Sequence, residues 1–319
     1  LRPISVMGLI YRVWSATRVR QILEWQEGWI SPFLKGFRKH LGCIDAFWET
    51  ALLVEKALLE GDDEALCGLS VDFQKAFDRV PHEHIFELGR LAGLPEGILR
   101  ALRSAYAGLT RRFKIGRHVG TPFSSTNGVL QGCPISIVLL NLLMHVWAEA
   151  VAQEVPGVTP SCYADDANAR TKSPQLLWEV LRVTKDFCRL TGMRLNMGKS
   201  HVWATSESHR ASLRRTVDAA PEGSLPKVVN HERNLGAQLH FTLQGGNQDV
   251  DKRFEDGKKV LTRIACTELP LEAKAELAAS AAMPKFTYDA CVSSVPKRNL
   301  KKKLASPHGE GNMGAFLPF

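Results

Sequence analysis

The sequence predicts an α+β fold, a mostly antiparallel sheet backed by helices, and three observations carry the expectation. Residues 173–192, SPQLLWEVLRVTKDFCRLTG, repeat their apolar residues at helical spacing and end on a glycine stop. Residues 66–73, LCGLSVDF, form a short apolar, strand-like run, and 161–170, SCYADDANAR, read as strand, turn and strand. The order strand, helices, helix, hairpin, helix, strand is the one an α+β domain takes.

In chain order, residues 39–60 are an amphipathic helix halted by the Gly-Asp-Asp at 61–63. The strand at 66–73 runs into PHEHIFELGRLAG (81–93), where Pro81 suits a first helical turn because it brings no N–H to leave unpaired. A second helix covers 95–108. Two strand-like pieces, RRFKIG (111–116) and HVGTPFSS (118–125), precede the glycine-rich turn NGVLQGCP (127–134). Residues 134–153 are a long buried helix begun by Pro134, followed by the hairpin and the helix at 173–192. Short strands are expected at 193–196, 201–205, 226–230 and 234–241, and helix over roughly 248–283. After Pro296 the tail is basic and then rich in Gly and Pro. No internal repeat or long low-complexity stretch interrupts this order.

At 319 residues the chain suits one large lobed unit or two to three subdomains, and 45% hydrophobic with 23% charged residues supply a sizeable core. Lys and Arg (41) outnumber Asp and Glu (33), giving +8 and a pI near 9.2, a balance that suits a polyanionic partner such as nucleic acid. The seven cysteines, at 43, 67, 133, 162, 188, 266 and 291, show no zinc-type spacing and are expected as free, mostly buried thiols in a reducing compartment. The ten histidines form no evident ligand set, and no Ser/His/Asp nucleophile arrangement stands out. The tryptophans at 14, 25, 29, 48, 147, 178 and 203 are expected in the core. The longest apolar run, IVLLNLLMHVWAEAV (137–151), is interrupted by Asn141 and His145 and reads as too short and too polar for a membrane span. The chain begins at Leu1 and has no signal-peptide pattern, so the true N-terminus is expected to lie upstream.

The chemistry concentrates in carboxylates. YADD (163–166) sets Asp165 beside Asp166 at a turn, and a third acid, Asp72, ends the strand LCGLSVDF. If the two strands are neighbours, the three acids meet at one end of a sheet. Like charges that close repel and raise one another's pKa unless cations sit among them. Hard divalent ions with oxygen ligands, Mg2+ first, meet that need, and a pair of them supports in-line phosphoryl displacement.

Six stretches then fall in one order. They are RPIS (2–5), VDFQKAFDRV (71–80), GVLQGCPIS (128–136), YADD (163–166), TGMRLNMGKS (191–200) and NLGAQL (234–239). Together they make the chain resemble a reverse transcriptase, closest to those of non-LTR (LINE-type) retrotransposons, over residues 2–240. The resemblance implies a right-hand polymerase fold, with an antiparallel palm sheet backed by helices. Its parts would be partial fingers at 1–65, a palm at 66–241 with a fingers insert at about 81–125, and a partial helical thumb with a basic tail at 242–319. One departure is Ile137, where the family usually carries proline after the serine.

The same resemblance assigns roles. Asp72, Asp165 and Asp166 are the catalytic acids and, with the backbone carbonyl of Phe73, the ligands of two Mg2+ ions, for which Mn2+ is a possible substitute. Phe77 would lie under the incoming sugar and exclude a 2′-hydroxyl. Gln131 and Gly132 would contact the nucleotide, Lys199 the triphosphate or leaving pyrophosphate, and Arg2 and Arg12 the triphosphate from the fingers. Leu235 and Gly236 would shape a primer grip. The implied partners are an RNA template, a DNA primer and dNTPs, with no membrane and the oligomeric state open. The implied location is intracellular, nucleus or cytoplasm. The basic stretches 111–117 and 297–303 would follow a nucleic-acid backbone. Three alternatives stay open: a catalytically inactive polymerase-derived RNA-binding protein, an intron-encoded or retron-type reverse transcriptase, and a viral RNA polymerase, the last disfavoured by Phe77.

Overall fold

The computed structural model describes residues 4–243 and 248–288, in two compact units, Leu1–Asn230 and His231–Phe319. The division falls before the hairpin that the sequence grouped with the palm. Arg2, the basic stretch 297–303 and Cys291 lie outside the described residues.

The first unit begins with α1 (Leu9–Gln26), α2 (Cys43–Glu60) and a 3-10 turn, then β1 (Cys67–Asp72), α3 (Ala76–Arg79), α4 (His82–Leu91) and α5 (Glu96–Ala107). Four two-residue strands follow, β2 (Thr110–Arg111), β3 (Lys114–Ile115), β4 (His118–Val119) and β5 (Phe123–Ser124). After them come α6 (Ser136–Glu154), β6 (Thr159–Tyr163), β7 (Asp166–Thr171), α7 (Leu176–Thr191), β8 (His201–Ala204), α8 (Glu207–Ala219) and β9 (Lys227–Val228). The main sheet has the order β6-β7-β1-β8-β9, antiparallel throughout except for the parallel β8–β9 pair. The fold is α+β, as the sequence predicts.

The core lies between this sheet and the helices. Most of α6 is buried, which is why its sequence carries little amphipathic stripe. Trp147 is fully enclosed there and donates its indole N–H to Thr184 Oγ1 at 3.0 Å, tying α6 to α7. The helix α7 buries Leu177, Val180, Leu181, Val183 and Phe187 on one side and stops at Gly192, whose φ of 71° suits a glycine cap. With 19 residues and a mean hydropathy of 1.3, α6 has the length and composition of a membrane span, against the sequence expectation that it is too short and polar. Its apolar surface is spent on the protein's own core.

Other differences have local causes. The helix α8 was not foreseen because its composition is polar, yet Ser206 caps it by accepting the His209 N–H at 3.2 Å. The helix α1 was missed as well, since it exposes Leu9, Ile10 and Val13 and has no clean apolar face. Residues 193–196 are not a strand; a single bridge joins Leu195 to Phe73. Residues 111–125 form two separate ladders, β2–β5 and β3–β4.

The second unit holds β10 (His231–Asn234), β11 (Ala237–His240), α9 (Gln248–Ala265), α10 (Leu271–Leu277), a π-helical turn and α11 (Met283–Thr287). The single strand expected at 234–241 is therefore the turn and second arm of a hairpin. Of the cysteines described, Cys67, Cys133, Cys162 and Cys188 are buried free thiols, while Cys266 is exposed.

Candidate active site

The strand β1 lies between β7 and β8, and its register with β7 sets Asp72 directly opposite Asp166. Directly paired residues share a face. Ala164 and Asp165 are the two turn residues between Tyr163 and Asp166, themselves a cross-strand pair. One cross-strand step and one chain step keep the Asp72 and Asp165 Cα atoms within about 10 Å. Ala164 holds φ at 54°, a left-handed value that costs a non-glycine residue roughly 1–2 kcal/mol. The acids stand at the rim of an apolar sheet end: Val71, Cys162, Ala167 and Ala169 are buried, Asp72 and Asp165 half-buried, Asp166 exposed. Burial pushes the Cys162 thiol up, with the Asp166 carboxylate adding to the effect.

Among the described residues, no three His, Cys, Asp or Glu side chains close into a ready-made metal cage. The acids at this sheet end nonetheless offer hard carboxylate oxygens, Asp72 and Asp166 on directly paired strand positions and Asp165 in the adjoining turn. That fits Mg2+, which keeps waters and binds through one or two carboxylates plus substrate phosphates.

The segment after α7 braces Asp72. The Asn196 N–H donates to the Asp72 carbonyl at 2.9 Å, and the Gln74 N–H to Arg194 at 2.8 Å. These bonds flank Phe73, so its own carbonyl takes no part in the bridge to Leu195. The Asp72 N–H donates to Ser200 Oγ at 3.1 Å, and Ser200, buried, donates in turn to the Asn196 carbonyl at 3.0 Å. Lys199 is exposed on the same turn. Ser200 was not foreseen as part of the site. Ser200→Ala strands the Asp72 N–H and is expected to cost about 1–3 kcal/mol in urea denaturation of the chain. A loss under about 0.5 kcal/mol would mean that water replaces the hydroxyl.

Phe77, half-buried on α3, packs its inner side on the core. Its carbonyl accepts the Val129 N–H at 2.7 Å, and the Val80 carbonyl accepts the Gly128 N–H at 2.8 Å, so the AFD and GVLQG stretches are laced together. Gln131 Nε2 donates to Asp78 Oδ1 at 3.0 Å, a pairing the sequence did not signal, which leaves the amide oxygen as its acceptor. Gly132, exposed at φ 111°, meets the chain itself: a Cβ there would lie 3.2 Å from the Ser5 carbonyl. The Ser5 N–H donates to Gln131 O at 2.7 Å, so the described part of RPIS reaches this turn.

Leu235 (φ 47°) and Gly236 (φ 86°) form the two-residue turn of the β10–β11 hairpin in the second unit. Both left-handed values mark a primed turn, favourable for glycine but not for leucine. Within that unit the turn is clamped, with Tyr288 donating to the Leu235 carbonyl and Arg253 to the Gly236 carbonyl. Arg12 is exposed on α1.

A helix-backed antiparallel sheet whose central strand and adjoining hairpin deliver aspartates to one end defines a polymerase palm. A family model described as "Reverse transcriptase (RNA-dependent DNA polymerase)" matches residues 1–228, and the chain belongs to that family. It is 27% identical over 209 residues to the retrovirus-related Pol polyprotein from type-2 retrotransposable element R2DM of Drosophila melanogaster, covering 62% of this chain and 19% of that protein. It is 25% identical over 319 residues to the Pol polyprotein from type-1 retrotransposable element R2 of Popillia japonica, covering 94% and 43%. These relatives place it among the non-LTR retrotransposon reverse transcriptases, and it spans less than half the length of either. The telomerase of Candida tropicalis, solved with a TWJ fragment of telomeric RNA, shares the fold at a TM-score of 0.54 and 13% identity, over 93% of this chain and 50% of that one.

Proposed function

We propose that this chain is an RNA-directed DNA polymerase, which extends a DNA primer 3′-hydroxyl with dNTPs on an RNA template. The observation that carries the reading is the register that sets Asp72 against Asp166 with Asp165 in the adjoining turn. Bound at Asp72, Asp165, Asp166 and the Phe73 carbonyl, two divalent ions would acidify the attacking hydroxyl and neutralise the leaving pyrophosphate. Asp72 is held for that task by its bonds to Asn196 and Ser200. Lys199, exposed beside them, would offer a cation or proton to the pyrophosphate. Gln131, tied to Asp78, would present its amide oxygen toward the nucleotide, and Arg2 and Arg12 would serve the triphosphate. Leu235 and Gly236, clamped in their turn, would steady the primer.

Charge supports a nucleic-acid partner. Between Glu96 and Glu149 the chain holds no acidic residue but carries Arg100, Arg103, Arg111, Arg112, Lys114 and Arg117. Within that stretch Phe113 and Phe123 stack at 5.0 Å while staying partly exposed, a surface suited to phosphates and bases. An intracellular location, nuclear or cytoplasmic, goes with this reading.

A primer-extension assay on an RNA template with dNTPs tests it. Extension should require Mg2+ or Mn2+ and stop on chelation. RNA binding without extension would favour the inactive RNA-binding alternative. The same assay tests Phe77: opening the space under the sugar with Phe77→Ala should raise ribonucleotide incorporation relative to deoxynucleotides about ten- to a hundredfold, the effect of losing one steric block. Unchanged sugar selectivity would reduce Phe77 to core packing.

A further inference from the structure

Residues 31–38 form a strap along the free edge of β6. The Lys35 N–H donates to the Cys162 carbonyl at 2.8 Å and the Cys162 N–H to the Phe33 carbonyl at 2.9 Å, with Leu34 bridged in parallel to Cys162. Gly36 then presses on the turn itself: a Cβ there would lie 2.6 Å from the Ala164 nitrogen. The Phe37 ring stands 5.9 Å from the Tyr163 ring. The strap thus touches Cys162, Tyr163 and Ala164, the three residues that lead into Asp165.

Polar side chains from α1 and α6 hold the strap in place. Asn141 Nδ2 donates to the Gly36 carbonyl at 3.1 Å and to Gln26 Oε1 at 2.9 Å, and Gln26 Nε2 donates to the Phe37 carbonyl at 3.3 Å. One turn further along α6, His145 Nδ1 accepts the Ser31 N–H at 3.1 Å, with Trp29 edge-on to its ring. Burial holds the His145 pKa below the usual histidine range, with Glu149 opposing, which keeps the ring neutral and able to accept. Asn141 and Gln26 are 1% and 0% exposed, and Asn141 Oδ1 is buried without a partner. A half-satisfied amide costs a core more than a leucine of similar size. Packing therefore does not account for Asn141, a polar side chain on the buried part of α6, whereas its donation to the strap does. Phe37 (φ 59°) and Ala164 (φ 54°) are left-handed non-glycines on the two sides of the contact, and such conformations persist where the surroundings over-determine them.

We propose that Asn141, supported by Gln26 and His145, is a positioning residue for Asp165: it clamps Gly36 against Ala164 and so fixes the turn that aims the Asp165 carboxylate. The proposal rests on the reading of Asp165 as a catalytic acid.

Hydrogen exchange and steady-state kinetics on the whole chain test it with Asn141→Leu and Gly36→Ala. Gly36 is not a left-handed glycine, so alanine suits its own backbone and acts only as a wedge against the turn. In both variants the amides of 159–166 should exchange about tenfold faster or more, with α7 unchanged. The kcat for extension should fall about tenfold or more, while dNTP KM and the Kd for template–primer stay within about twofold, the pattern of a misplaced catalytic group. Should Asn141→Leu fail to fold, the Gly36→Ala wedge carries the test. Unaltered exchange at 159–166, or protection lost equally across α7, would overturn the proposal. Should the parent chain extend no primer, the functional reading fails, and the exchange measurement still judges the strap.

Discussion

Asp165→Asn is expected to lower primer extension by about a thousandfold or more, the upper end of what deleting one preorganised electrostatic group costs, and Asp72→Asn to do the same. Asparagine keeps the volume and tolerates turns, so the hairpin should survive. The substitution changes neither the register of the strands nor the size of the side chain, so the thermal midpoint should stay within about 2 °C of the parent. Activity should collapse while the midpoint holds, and that separates a catalytic acid from a structural one. A surface acid that merely ends a strand would leave extension unchanged. A structural acid would lower the midpoint and activity together. Extension within about tenfold of the parent, in a folded Asp165→Asn chain, would remove Asp165 from the chemistry.

The acids were legible because each follows a short apolar stretch, so a carboxylate there stands out against its surroundings: Asp72 after LCGLSV, and Asp165 after SCYA. The order of the six motifs supplied the fold. Register was not legible, since nothing in either strand specifies that Asp72 faces Asp166 and leaves Asp165 to the turn. Supports that act across long sequence separations were also hidden. Ser200 on the Asp72 N–H, Asp78 on Gln131 and Asn141 on Gly36 are single hydrogen bonds with no periodic signature. The approach of Ser5 to Gly132 joins residues far apart in the chain and was hidden in the same way. The strand expected at 234–241 failed at Leu235, because leucine seldom takes the left-handed φ that the turn imposes on it. Asn141 and His145 were visible in the sequence as interruptions of an apolar run, but only the strap gives them a reason.

Gly128→Ala should destabilise the chain more than Gly36→Ala or Gly97→Ala, because this glycine joins four segments. Its N–H donates to the Val80 carbonyl, and its own carbonyl lies 2.9 Å from both His82 Nε2 and the Arg111 guanidinium. Its φ is 88°, and a Cβ would lie 2.8 Å from the Asp78 carbonyl oxygen and 3.0 Å from that residue's Cα. The left-handed penalty is about 1–2 kcal/mol for alanine. The clash adds about 1–3 kcal/mol because a laced backbone, unlike a side-chain tip, cannot swing away. A total near 3 kcal/mol corresponds to a fall of roughly 6–12 °C in thermal midpoint for a unit of this size. The displaced atoms belong to the Phe77–Asp78 turn, so sugar selectivity should weaken in the same variant. Gly97→Ala makes the contrast: it lies exposed in α5 with nothing within 4 Å of a Cβ, and the same methyl should stabilise by about 0.5–1 kcal/mol through helix propensity. A Gly128→Ala midpoint within about 2 °C of the parent would show that the AFD and GVLQG stretches yield to one another, and that their lacing does not set the geometry under the sugar.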